Sequence, residues 1–128
     1  MIEILMAIKP EFADKILSGS KTFEYRKRVP KQEFDLILFY VSSPIMKVLF
    51  QSKIKRILDA SPDEVWNETK EKGCVDFDFF YQYFNNKQTA YAIELCDVKQ
   101  FKVPKSLSEF GVLKPPQNFM YLHKKSSM

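Results

Sequence analysis

Gly19 marks the place where one periodicity stops and another starts, and that change limits the folds open to the chain. Before it, Phe12, Ala13, Ile16 and Leu17 recur at helical spacing behind Pro10, a residue suited to a helix's first turn. After it, Lys21 to Lys27 reads as a strand. Glycine ends a helix readily because it adopts positive φ without a steric penalty. The chain therefore passes through a tight turn into a strand that carries Lys21, Glu24 and Arg26 between apolar neighbours. Two cations and a carboxylate so placed suit a planar polar ligand or a phosphate held by charge-assisted hydrogen bonds. As an exposed pair, Glu24 and Arg26 would contribute only about 0 to 1 kcal/mol and need no site to explain them. Strict alternation assigns Thr22, Glu24 and Arg26 to one face and Lys21, Phe23 and Tyr25 to the other. Lys21 joins the pair only if the strand bends after the glycine.

The rest of the chain alternates β segments with short helices. Ile2 to Ile8, Phe34 to Val41 and Ile45 to Leu58 read as strands, as do Thr89 to Cys96 and Phe119 to Leu122. Val98 to Val103 reads as a separate edge strand closed by Pro104. Ser61-Pro62-Asp63-Glu64 is a capping box that opens a helix ending near Gly73, and a second helix spans Asp76 to Phe84. Ser106 to Phe110 allows one helical turn, and Lys114-Pro115-Pro116 must be extended. Five or six strands with three short helices and no internal repeat predict an α+β barrel. A length of 128 residues fits one domain, 1–128, with 123–128 as a frayed tail.

The formal net charge of +4 favours an anionic partner such as nucleic acid. No run approaches the roughly 18 apolar residues of a membrane span. The early Glu3 and the lack of a basic leader argue against a secretory signal, so a cytoplasmic location is expected. Cys74 and Cys96 form no C-x-x-C pair, and one histidine does not complete a usual zinc set; neither metal nor cofactor is expected. That histidine, His123, is given no role. Nothing in the sequence indicates an oligomeric state.

The string Gly19-x-Lys21-x-x-Glu24-x-Arg26 resembles the hallmark of the ASCH domain, a small β-barrel of the PUA-like superfamily. Ile8-Lys9-Pro10 and Phe12-Ala13 with Ile16-Leu17 resemble the blocks before the motif in that family. Tyr40-Val41-Ser42-Ser43-Pro44, Ala90-Tyr91-Ala92-Ile93 and the stretch from Pro115 to Leu122 resemble its later blocks, so the likeness covers residues 2 to 122. It implies a mixed PUA-like barrel with the motif residues lining a cleft beside the first helix. There the cations would engage a phosphate or base edge, and Glu24 would accept from an exocyclic amine or hold Lys21. The implied partner is RNA or a modified nucleoside.

The candidate ligand-binding residues on this footing are Lys9, Lys21, Glu24, Arg26, Arg28, Tyr40, Ser42, Ser43, Tyr91, Gln117 and Tyr121. Arg28 belongs to the run Arg26-Lys27-Arg28 with Lys31. Together with Lys47, Lys53, Lys55 and Arg56 it makes one positive surface if both strands face the same way, and a solvated face otherwise. Tyr40, Ser42 and Ser43 sit where a strand leaves the barrel, although serines also cap turns routinely. Tyr91 and Tyr121 are stacking candidates, whereas the aromatics from Phe77 to Phe84 read as helix packing. Gln117 and Asn118 follow a rigid Pro-Pro pair and can read a base edge or simply make a turn.

Two function classes follow from the resemblance. The preferred one is an RNA- or nucleic-acid-binding module with a nucleotide cleft. The other is a small hydrolase, because one ASCH-like branch deacetylates N4-acetylcytidine using the motif lysine, a threonine three residues later and a distant glutamate. This chain keeps Lys21 but has Glu24 at the threonine's place, Thr22 faces differently by alternation, and the distant glutamate has no match. Catalytic candidates for an enzyme are thus Lys21, Glu24 and Thr22. A ribonuclease activity, also attributed to some ASCH-like proteins, would need similar groups.

Overall fold

Strand β1 (Glu3–Ile8) is apolar on both faces because both of its faces are covered, and the fold is organised around it. In the computed structural model, which describes residues 2–122, Ile4, Met6 and Ile8 enter one buried cluster while Leu5 enters another. Strand β3 (Leu36–Val41) shares the pattern and pairs with β1 in parallel, Ile4 opposite Ile37 and Ile8 opposite Val41. A parallel pair needs a long crossover. Helix α1 (Pro10–Leu17) and strand β2 (Phe23–Arg26) supply it. Strands β4 (Lys47–Ala60), β5 (Ala90–Lys105) and β6 (Phe119–Leu122) complete a mixed six-stranded sheet in the order β2-β5-β4-β3-β1-β6. It closes as a half-barrel of α+β, PUA-like architecture.

The strands β4 and β5 are 14 and 16 residues long, and three register shifts along their ladder let them bend around the core. One expectation is corrected here. Residues 98–103 are not a separate strand but the far half of β5, which runs unbroken through Asp97, a residue with φ of 50°. That half is still bonded on one side only, to β4, since β2 pairs with residues 91–94 alone. Its open side is what lets Pro104 stand inside a strand.

Between β4 and β5, helices α2 (Pro62–Thr69) and α3 (Phe77–Tyr83) cap the open side of the sheet. Ser61 Oγ accepts from the Glu64 amide at 3.3 Å, and Asp76 Oδ1 accepts from the Phe79 amide at 2.8 Å. Phe80 and Phe84 are buried against Tyr25, Val65, Ala90 and Ala92. The segment between these helices passes close to β2. The Tyr25 hydroxyl and Thr69 Oγ1 are 2.6 Å apart, and Thr69 in turn donates to the Val65 carbonyl at 2.6 Å. Gly73 packs against the hydroxyl end of the Tyr25 phenol, which leaves no room for a Cβ atom there.

Gly73→Ala is therefore expected to cost about 1 to 3 kcal/mol, because the buried and hydrogen-bonded Tyr25 ring cannot step aside. Urea unfolding should show a lower midpoint at unchanged slope, and an unchanged midpoint would mean that the segment has slack.

Candidate functional site

The bend on which Lys21 depends is present. Gly19 has φ of 86°, the Lys21 amide donates to the Lys15 carbonyl at 3.0 Å, and β2 begins only at Phe23. Lys21 is thereby freed from strand alternation and points toward Glu24, with Nζ 3.6 Å from Oε1. It donates at 2.6 Å to the Gly73 carbonyl and lies 5.3 Å and 5.0 Å from the ring centres of Phe12 and Tyr25. Arg26 grips the other carboxylate oxygen from Nε at 2.9 Å and from Nη2 at 2.7 Å. Its Nη2 also donates to the Ala7 carbonyl at 2.7 Å, and its Nη1 to Asn118 Oδ1 at 2.8 Å.

Lys21, Glu24 and Arg26 are 2%, 5% and 9% exposed, so this is a buried charge network and not a surface pair. Removing three charges from water is tolerable only because each meets an opposite charge or a carbonyl. Burial pulls the Lys21 pKa below its ordinary value, and the Glu24 carboxylate works against that pull. Burial likewise raises the pKa of Tyr25 and of Tyr83, keeping both phenols protonated at neutral pH.

The network forms one wall of a cleft of about 550 Å³. The end of β1 and Phe12 of α1 form another wall, Tyr40 comes from the end of β3, and Ser42, Ser43 and Met46 come from the β3–β4 connection. Val75, Phe79 and Tyr83 enclose it on the α3 side, and Pro115, Pro116 and Gln117 close the last edge. Of the residues expected from sequence, Lys9, Lys21, Glu24, Arg26, Tyr40, Ser42, Ser43 and Gln117 meet here.

Three others do not line the cleft. Arg28 is exposed in the loop after β2. Tyr91 sits on β5 opposite Arg26, outside the lining. The Tyr121 hydroxyl accepts from the Lys31 and Gln32 amides at 2.9 Å and 3.2 Å, so it tethers the β2–β3 loop. Thr22 also lies elsewhere. Its backbone bonds Lys72 and Leu95, and it borders, together with Lys21, a separate depression that includes Cys96 and Gln100 but not Glu24. The trio Lys21, Glu24 and Thr22 is thus not assembled.

The single basic face also fails to form, because β5 separates β2 from β4 and brings acids with it. Arg56 pairs with Glu94 at 2.7 Å and approaches Glu68 at 4.0 Å, while Lys53 approaches Asp97 at 4.0 Å. His123 lies outside the described residues.

The aromatic wall was missed in the sequence. On α3, Phe80 and Phe84 are core, but Phe79 and Tyr83 look into the cleft with planes only 9° apart and centres separated by 6.3 Å. Their i, i+4 spacing was a signal. It was masked because nearly every position of this helix is aromatic, so periodicity could not say which face is core. Among the described residues, no helix is long and apolar enough to cross a membrane, and no group of three or more His, Cys, Asp or Glu is placed to hold a metal ion.

Known proteins place this architecture. The sequence model of the ASCH domain matches residues 6–105. The chain is 25% identical over 130 residues to an ASCH domain-containing ribonuclease of Zymomonas mobilis, covering 98% of this chain and 87% of that protein. It is 28% identical over 120 residues to ATP synthase subunit alpha of Ureaplasma parvum, where 93% of this chain spans only 15% of that protein. The crystal structure of ASCH from Zymomonas mobilis superposes with a TM-score of 0.86 at 26% identity, covering 95% of this chain and 88% of that one.

Breaking the network from its centre should be costly. Glu24→Gln leaves Arg26 and Lys21 buried without their counter-ion and is expected to lose about 3 to 5 kcal/mol in denaturant unfolding. Lys21 carries a separate pH signature. Between its lowered folded pKa and the ordinary 10.5, the unfolded chain holds a proton that the folded chain has released, so stability rises with pH across that window. Lys21→Met should remove this rise, so that the parent gains stability relative to the variant as pH increases across the window; parallel pH profiles would contradict it.

Proposed function

The chain belongs to the ASCH domain family, and from that premise we propose that it is an RNA-binding module whose cleft receives one unpaired nucleotide. The observation that carries the reading is the meeting of a buried ammonium with aromatic side chains inside an open cleft of nucleotide dimensions. Sequence-reading RNA proteins work on bases turned out of helices, stacking them on aromatic rings and bonding their edges. A net charge of +4 assists the approach of a polyanion. Residues 1–128 act as one module in this reading, and the relative in which a matching stretch is 15% of a longer chain supports that view. A cytoplasmic setting goes with it.

A second reading, RNA cleavage, is favoured by one observation: the likeness to the Zymomonas mobilis ribonuclease extends over nearly all of both chains. The groups available for proton transfer are Lys21, whose pKa is lowered by burial, and the cleft hydroxyls of Tyr40, Ser42 and Ser43. Deacetylation of N4-acetylcytidine by a lysine–threonine pair is not carried forward, because Thr22 does not line the cleft that holds Glu24 and the aromatic walls.

Labelled single-stranded RNA titrated with the protein should bind more tightly than a matched duplex, and Lys21→Met should weaken single-strand binding about tenfold or more, as loss of a charged hydrogen bond implies. Equal affinity for both RNA forms, or no effect of the substitution in a folded variant, would remove the cleft from RNA binding. Gel analysis of the same mixtures decides between the readings. RNA fragments that accumulate with the parent protein and disappear with Lys21→Met would make it a nuclease.

A further inference from the structure

Resting on the RNA reading, the charge inventory of the cleft separates the work of its two cations. Each nitrogen of the Arg26 guanidinium already has an internal acceptor: Glu24 Oε2 for Nε, Asn118 Oδ1 for Nη1, and the Ala7 carbonyl with Glu24 for Nη2. A guanidinium so engaged has little left to offer a ligand. Arg26 and Glu24 also cancel one another's charge. Lys21 is different, because its ammonium has three donors and only one short bond, to the Gly73 carbonyl at 2.6 Å; Glu24 Oε1 stands 3.6 Å away. The interior therefore presents a single cation with donors to spare, beside aromatic walls and the neutral hydroxyls of Tyr40, Ser42 and Ser43. Such a lining is better suited to a flat, uncharged ring than to a phosphate dianion.

Two exposed cations border the cleft. Lys9 is exposed while lining the cleft, and exposed Lys27 holds its ammonium 4.8 Å from the centre of the Tyr83 ring. We infer that the cleft takes the nucleobase inside, against Phe79 and Tyr83 with Lys21 bonding its edge, and leaves the backbone phosphates outside on Lys9 and Lys27. Arg26 is then a positioning residue that fixes Glu24 and the end of β1, and it touches no ligand.

Base contacts and phosphate contacts respond differently to salt, since only phosphate neutralisation releases counter-ions from the RNA. Affinity for a short single-stranded RNA, measured over a range of KCl concentrations, tests the division. Phe79→Ala should weaken binding roughly 5- to 150-fold, the loss of one stacked base, with the salt slope unchanged. Lys21→Met should behave in the same way. The double change Lys9→Ala with Lys27→Ala should flatten the slope by about 1.4, two contacts at about 0.7 each. In competition, the advantage of a 5′-monophosphate over its unphosphorylated nucleoside should be lost in the Lys9 and Lys27 double variant and kept in Lys21→Met.

A flattened slope in Lys21→Met, an unchanged slope in the Lys9 and Lys27 double variant, or a monophosphate preference that persists in that double variant would overturn the division while RNA binding itself stood. Phe79 is 44% exposed, so its substitution stays informative even if Lys21→Met fails to fold. A parent protein that bound no RNA at all would overturn the RNA reading and this inference with it.

Discussion

The Glu24 carboxylate holds this site together. One of its oxygens binds Arg26 through two nitrogens and the other faces the ammonium of Lys21, all below the surface. Buried ion pairs are often no better for stability than apolar packing of equal volume, so stability alone does not explain such a group. What it provides is position. A carboxylate gripped side-on by a planar guanidinium has little rotational freedom, and a guanidinium bonded at every nitrogen has even less. The lysine beside them becomes the member whose donors are not all committed.

This arrangement follows from local geometry that the sequence only partly discloses. Gly19 was legible as a helix stop, and the Lys-Glu-Arg spacing was legible as a possible site. Alternation on a strand predicted that Lys21 would point away, and it would have done so had β2 begun two residues earlier. The turn decides the matter, because at positive φ the chain doubles back and the Lys21 amide bonds Lys15 instead of joining the sheet. Period-2 reasoning holds only inside a ladder, and Lys21 lies just outside one.

Other differences between sequence and structure share a cause: the unread information belonged to neighbours across the sheet. The basic stretch of β4 contains no acid between Lys47 and Leu58, yet Glu94 and Asp97 of β5 and Glu68 of α2 come beside it. Tyr121 was a plausible stacking ring until its hydroxyl was found holding two amides of the β2–β3 loop. In contrast, the strands, the capped helices and the grouping of Lys9, Tyr40, Ser42, Ser43 and Gln117 around the motif were legible. Local periodicity and turn chemistry fix most of those elements, and the family likeness supplied the grouping. The aromatic-rich α3 carried no readable periodicity, which is why Phe79 and Tyr83 went unseen as cleft residues.

Arg26 reaches chain segments far apart in sequence, bonding residue 7 at the end of the first strand and residue 118 just before the last. Backbone pairing joins the same two places, through the Ala7 amide and the Asn118 carbonyl at 3.0 Å. The hollow beside Arg26 is consequently a product of the closed chain and not of its N-terminal half, although its charged motif is made early. During synthesis the guanidinium waits without its amide partner until the ribosome has released residue 118, and only then can the hollow be completed.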